Sequence, residues 1–146
     1  MAFAHFGSDA LKKKFETIPS HVLGGTNALS LAAVRSAWTL CDSWLSDIRA
    51  ILFKNRELVS QFVLEKQPKI RYFPPEATYL AWFDLRKFKP KPSYQRYIMD
   101  TAKVAVSAGE DFGDDGRGFI RVNFATSPEI LERVLAQVGS ALDRIS

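Results

Sequence analysis

The sequence predicts an α+β fold, and three observations carry that expectation. Apolar residues recur at steps of three, four or seven from Leu31 to Phe62, the signature of amphipathic helix. After Pro68 come shorter runs rich in aromatic and β-branched residues, each stopped by proline or glycine. The chain closes on Ser127-Pro128-Glu129, where cap, first-position proline and first-turn acid announce a last helix. Helices first, then strand, helix, strand, strand and helix, is the segregated order of α+β rather than the alternation of α/β.

Residues 9–17 predict a short helix that ends before Pro19, and 21–26, with Gly24-Gly25, a loop. The periodic run then contains Leu31, Val34, Trp38, Cys41, Leu45, Ile48, Leu52, Val59 and Phe62. Asn27 or Thr26 can cap it, and Pro68 stops it soon after Gln67. About forty residues is long for one globular helix. Asp42-Ser43 supplies a break, so two helices are expected, the second and longer one starting at Trp44. Trp38, Cys41 and Trp44 read as core residues, Cys41 as a buried inert thiol.

Residues 70–73 predict a short strand before Pro74-Pro75, and 78–85 a central strand covered on both faces. The segment 86–93 (R-K-F-K-P-K-P-S) is a basic, proline-punctuated connection. Residues 94–102 predict a helix with Tyr94, Tyr97 and Ile98 inward, and 104–107 a second short strand. A Gly/Asp turn at 113–118 leads into a third strand, 119–125. There Ile120, Val122 and Phe124 share one face, and Phe119, Arg121 and Asn123 the other. The last helix buries Leu131, Val134, Leu135, Val138, Leu142 and Ile145.

Composition narrows the function classes. The 146 residues include 18 aromatics (Phe 11, Tyr 4, Trp 3), too many for a disordered chain. Net charge +4 is too mild to imply nucleic acid, and Lys12-Lys13-Lys14 reads as a solvated helix face. The lone Cys41 has no internal disulfide partner, which points to a reducing compartment, and the cytoplasm is expected. No apolar run approaches a membrane span, and residues 1–10 do not read as a signal peptide. His5 and His21 lack metal-ligand spacing. Aligning Asp111 as the start of an EF-hand loop places Gly113 and Val122 where acidic ligands are needed, so calcium is not expected and a hairpin connection is. The glycines at 113, 116 and 118 do not make a dinucleotide fingerprint, and no phosphate-cradling P-loop or nucleophile elbow occurs.

Arg121 stands apart. It lies mid-strand between apolar Ile120 and Val122. An arginine there is ordinarily a solvent-facing charge. The functional alternative is a guanidinium held rigidly for a bidentate grip on a carboxylate.

Two separated motifs, Glu76-Ala77-Thr78-Tyr79-Leu80-Ala81-Trp82-Phe83-Asp84-Leu85-Arg86 and Gly109-Glu110-Asp111-Phe112-Gly113 with Gly116-Arg117-Gly118-Phe119-Ile120-Arg121-Val122-Asn123, resemble one family closely. Asp42-Ser43-Trp44-Leu45 and Asn55 extend the likeness, which runs over about 7–145. The family is the bacterial-type cystathionine β-lyase branch of the pyridoxal-phosphate enzymes related to class I/II aminotransferases, of fold type I. The resemblance covers only the C-terminal part of such an enzyme. It implies that residues 1–45 are the tail of the large cofactor domain and 46–146 the small domain, with a long bridging helix and a three-stranded sheet covered by helices.

The resemblance also implies a role. Arg121, inside G-F-I-R-V-N, would grip the substrate's α-carboxylate from an open cleft, without an acidic partner in the chain. The Schiff-base lysine and the other cofactor ligands would precede Met1, since none of the ten lysines here lies in the family's lysine motif. No catalytic, cofactor-binding or metal-binding residue is therefore expected in this chain, which alone would hold no pyridoxal phosphate. The intact enzyme would be a cytoplasmic homodimer eliminating a sulfur leaving group from an amino acid such as cystathionine, with no nucleic acid or membrane partner. Two alternatives stay open: an aminotransferase of the same family, and a non-catalytic α+β interaction module.

Overall fold

Local capping chemistry sets the first helices of the computed structural model, which describes residues 4–89 and 91–146. Ser8 Oγ accepts from the Leu11 amide at 3.3 Å and starts α1, Asp9–Glu16. A one-turn helix α2, Ser20–Leu23, occupies part of the expected loop. Asn27 Oδ1 accepts from the Ser30 amide at 2.8 Å and starts α3, Ala28–Leu40. Helix α4, Asp42–Gln61, follows at once. The break between two helices falls at Cys41 rather than at Asp42-Ser43, so α4 begins at Asp42 instead of Trp44 and the acid sits in its first turn.

Three core assignments need correction. Cys41 is not on a buried stripe: it is the non-helical junction (φ −111°, ψ 18°) and is partly exposed. Trp38 and Trp44 are 68% and 61% exposed, and α3 buries none of its described residues. Periodicity identifies the apolar face of a helix; it does not supply something to cover that face.

The chain divides into two compact units, Met1–Ser46 and Asp47–Ser146. In the second, α4 runs into a π-helical turn, Phe62–Lys66, closed by the Gln67 amide donating to the Phe62 carbonyl at 3.1 Å. Gln67 then ties this turn to the last helix, donating from Nε2 to the Gly139 carbonyl at 3.2 Å and to Asp143 Oδ1 at 2.7 Å.

Three antiparallel strands form the sheet: β1 Leu80–Asp84, β2 Ser107–Ala108 and β3 Phe119–Asn123, in the order β1-β3-β2. The central strand is thus β3, and β1, expected in the centre, lies at an edge. Residues 70–73 contribute only a single bridge, Arg71 to Asp84. The second strand is shorter and later than 104–107. Val104 and Val106 are buried, yet only Ser107 and Ala108 pair with β3.

Helix α5, Tyr94–Ala102, begins at the Ser93 cap and buries Tyr94, Ile98 and Ala102, with Tyr97 partly buried. Pro90 of the preceding basic connection lies outside the described residues. Helix α6, Pro128–Asp143, starts where Ser127 Oγ accepts from the Ile130 amide at 3.4 Å. Its Leu131, Leu135, Val138 and Leu142 join one core with Ala81, Phe83, Ile120, Val122 and Phe124 from the sheet. Each such fully buried large side chain stabilises the fold by roughly 1.5–3 kcal/mol. Tyr97 Oη donates to the Ala141 carbonyl at 2.8 Å and so pins α5 to α6.

The Gly/Asp connection between β2 and β3 holds two 3-10 turns, Gly109–Phe112 and Asp114–Gly116. It joins antiparallel neighbours, as turn chemistry predicted. Gly109 and Gly116 cross so closely that a Cβ on either would overlap the other's carbonyl oxygen.

Candidate functional site

Strand pleating decides which side chains can reach a ligand. Ile120 and Val122 of β3 point into the helical layer and are buried, so Phe119, Arg121 and Asn123 point away from it. The register sets Trp82 of β1 and Ser107 of β2 opposite Arg121, one on either side. Arg121 therefore occupies the middle of the outer face, half-exposed, on the strand paired at both edges.

Among the described residues its guanidinium has one hydrogen-bond partner and one ring beneath it. Nη2 donates to Ser107 Oγ at 3.1 Å, and the group lies 4.3 Å from the centroid of the Phe112 ring, which the first 3-10 turn brings over the sheet. Phe112 meets Trp82 edge-on at 5.6 Å and 77°, and Trp82 stacks on Phe119 at 5.6 Å and 23°. At the far end Arg86 lies 4.8 Å over Phe119. Three aromatic rings thus separate two guanidinium groups.

The two arginines differ in what they hold. Arg86 grips Asp84 in a fork, Nε to Oδ1 at 2.9 Å and Nη2 to Oδ2 at 2.7 Å. That hydrogen bonding holds the Asp84 carboxyl below its ordinary range, against the opposing effect of burial, and raises Arg86. Arg121 has no Asp or Glu within ion-pairing distance among the described residues. A guanidinium carries five N–H donors, and among the described residues only one of those on Arg121 is engaged, by Ser107. Within this cluster, Arg121 is the group left to bind an anion from outside.

Pyridoxal phosphate does not fit the residues present. The outward positions of the sheet are Leu80, Trp82, Asp84, Ser107, Phe119, Arg121 and Asn123, with no lysine among them. A lysine that forms a Schiff base needs a desolvated or otherwise activated amine. Every lysine of the chain is exposed except Lys91, which is half-buried with its ammonium 4.8 Å over the Tyr97 ring. A neighbouring cleft of about 870 Å³ is lined by Arg86, Lys91, Tyr94, Glu110 and Arg117, among others, and Arg121 is not part of its wall. No cluster of potential metal ligands occurs among the described residues, and no helix there is long and apolar enough to cross a membrane.

Of the outer-face residues singled out from sequence, Phe119 joins the aromatic row, whereas Asn123 turns to its own backbone, its Oδ1 accepting from the Ala125 amide at 2.8 Å. Sequence reasoning missed Ser107 and Phe112 as neighbours of Arg121. Alternation along β2 could have marked Ser107 as outward, but nothing local reveals that its partner is Arg121.

No protein-family model matches the chain. A putative cystathionine β-lyase of Mycobacterium leprae is 34% identical over 138 residues, spanning 86% of this chain and 34% of that protein. The crystal structure of a putative PLP-dependent β-cystathionase from Corynebacterium diphtheriae superposes with a TM-score of 0.86 at 29% identity, over 97% of this chain and 37% of the other. A Bacillus subtilis aminotransferase, L-glutamine–4-(methylsulfanyl)-2-oxobutanoate aminotransferase, is 31% identical over 65 residues, 44% of this chain and 16% of that protein. The chain spans about a third of the length of the cystathionine β-lyase relatives it matches. It is homologous to that part of them and shares its fold, that of fold type I pyridoxal-phosphate enzymes.

Proposed function

We propose that this chain, a relative of cystathionine β-lyases, serves as the C-terminal part of a pyridoxal-phosphate-dependent carbon–sulfur β-lyase and supplies the arginine that binds the substrate's α-carboxylate. The observation that carries the reading is the state of Arg121. Its guanidinium sits on the central strand, contacts Ser107 and Phe112, and has no acidic partner among the described residues. A planar fork presented from a strand matches both oxygens of a carboxylate, and a lysine would supply the charge without that geometry.

Cofactor and Schiff-base lysine belong, in this reading, to a large domain outside the 146 residues. When bound there, pyridoxal phosphate supplies the electron sink for elimination of the sulfur leaving group. Residues 1–45 are the part of this chain that belongs with that domain. The exposure of Trp38, Leu40 and Trp44 supports this, because apolar side chains in such number ask for cover. The working enzyme is a homodimer acting on an amino acid, in the reducing cytoplasm that suits a lone cysteine.

The match to an aminotransferase over 44% of this chain favours a second reading within the same family. Arg121 would bind an α-carboxylate in either enzyme, so it does not separate them.

The coding sequence immediately upstream of Met1 tests the proposal. A reading frame encoding a lysine-bearing large domain supports it, and the clear absence of one favours a free-standing interaction module. The chain alone, mixed with pyridoxal phosphate and dialysed, is expected to keep no visible absorbance; a persistent band with one labelled lysine contradicts the division of labour.

A further inference from the structure

We infer that Ser107 and Phe112 are positioning residues, which together set the plane of the Arg121 guanidinium so that one edge stays open to a carboxylate. The inference deepens the carboxylate reading above and rests on it for the identity of the ligand.

A half-exposed arginine is normally free to sample many rotamers, because its stem is long and its head is well solvated. Arg121 is held in two different ways. Ser107, opposite it in the register, accepts from Nη2 at 3.1 Å and fixes the direction of the head within its plane. The guanidinium carbon sits over the Phe112 ring, 4.3 Å from its centroid, which limits where the head can swing. The Phe112 ring is itself backed by Trp82, Trp82 by Phe119, and Phe119 by Arg86, which is forked onto Asp84. The row of rings therefore runs from an ion-paired arginine to an unpaired one. Among the described residues one N–H of Arg121 is used, by Ser107, its carbon rests over the Phe112 ring, and no acid pairs with it.

Both restraints come from a single stretch of chain. Ser107 is half of β2, and Phe112 ends the 3-10 turn that follows it. The crossing of Gly109 and Gly116 fixes the path of that stretch over the sheet. Phe112 is 53% exposed, so its packing alone contributes little to the core, and a role toward Arg121 explains its place better than burial does.

The test uses the full 146-residue chain labelled with nitrogen-15, with the Arg121 Nε–H signal identified by its loss in Arg121→Lys. The heteronuclear NOE of that signal reports order, and a sodium acetate titration reports carboxylate binding. The wild type is expected to show an ordered Nε–H that shifts with acetate. Ser107→Ala and Phe112→Leu should each lower the NOE and weaken acetate by about three- to tenfold. Ser107→Thr and Phe112→Tyr should restore both, while backbone amide signals remote from the segment stay in place in every variant. An NOE unchanged in both loss variants overturns the positioning role, whether or not acetate binds. If wild-type Arg121 ignores acetate while its NOE still falls on substitution, the positioning role stands and the carboxylate reading falls.

Discussion

The side-chain amide of Asn55 in α4 donates to the Phe124 carbonyl at 2.8 Å, across 69 residues of sequence, and a second N–H reaches the Thr126 carbonyl at 2.7 Å. Two acceptors at that nitrogen fix which way the amide faces. Asn55 is fully buried, and it anchors the end of the strand that carries Arg121 to the long helix. Replacing it by alanine leaves two carbonyl oxygens without these donors, a loss of about 2–4 kcal/mol. Urea denaturation should show a lower midpoint at unchanged slope. Asn55→Asp should be worse at neutral pH, because a carboxylate would face two carbonyl oxygens, and should recover part of the loss on acidification.

Much of this architecture was legible in the residues because its signals are local. Ser127-Pro128-Glu129 started α6, Asn27 capped α3, and the alternation of Ile120, Val122 and Phe124 fixed which way Arg121 points. What was not legible depends on distant partners. The pattern of 78–85 could not tell an edge strand from a central one, since strand order follows from which backbone β3 pairs with. Val104 and Val106 look like a strand and are buried, yet pairing begins only at Ser107. The periodicity of α3 and α4 marked Trp38 and Trp44 as apolar-face residues without saying that both are exposed in this chain. Ser107 and Phe112 meet Arg121 only through register and a 3-10 turn, which no spacing rule announces.

Stability should fall at both ends of the pH scale for identifiable reasons. The hydrogen bonds from Arg86 hold Asp84 below its ordinary range. A carboxyl lowered in the folded state contributes fully above its unfolded value of roughly 3.9, and the contribution is lost as pH falls through the folded value. Burial pushes the Tyr72 phenol up to about 12, with the nearby Arg56 charge opposing. Its contribution is complete below roughly pH 10, where the unfolded phenol titrates, and is lost as pH rises toward 12. Denaturation of Asp84→Asn across pH 2–6 should therefore show a flatter acid limb, and Tyr72→Phe a flatter alkaline one. The Tyr72 hydroxyl is buried without a hydrogen-bond partner among the described residues, so Tyr72→Phe should cost less than about 1 kcal/mol at pH 7.

Glycine substitutions should divide sharply by position. In Gly109→Ala or Gly116→Ala the new methyl collides with backbone, which cannot swing aside as a side chain could. Each should lose about 2 kcal/mol or more. Gly25→Ala meets open space without a positive φ and should be nearly neutral. Thermal melts of the three variants decide this, and equal losses at 25 and 109 would contradict the crossing.

Exposed apolar side chains should make the isolated chain associate. Leu29 (84%), Leu40 (76%), Trp38 and Trp44 all lie in the first unit or at its edge. Sedimentation velocity should show concentration-dependent association, reduced by Trp38→Ser with Leu40→Ser. A clean, stable monomer at all concentrations would argue against a missing cover.

The most direct measurement is kinetic. With this chain joined to a lysine-bearing large domain, β-elimination from cystathionine is compared for wild type, Arg121→Lys and Arg121→Ala. The account predicts that kcat/KM falls in Arg121→Ala by an amount equivalent to roughly 2–4 kcal/mol, the scale for losing a charged partner. Arg121→Lys should recover only part, because charge returns without the fork. An Arg121→Ala enzyme whose kcat/KM equals that of the wild type would contradict the assignment of Arg121 as the carboxylate-binding residue.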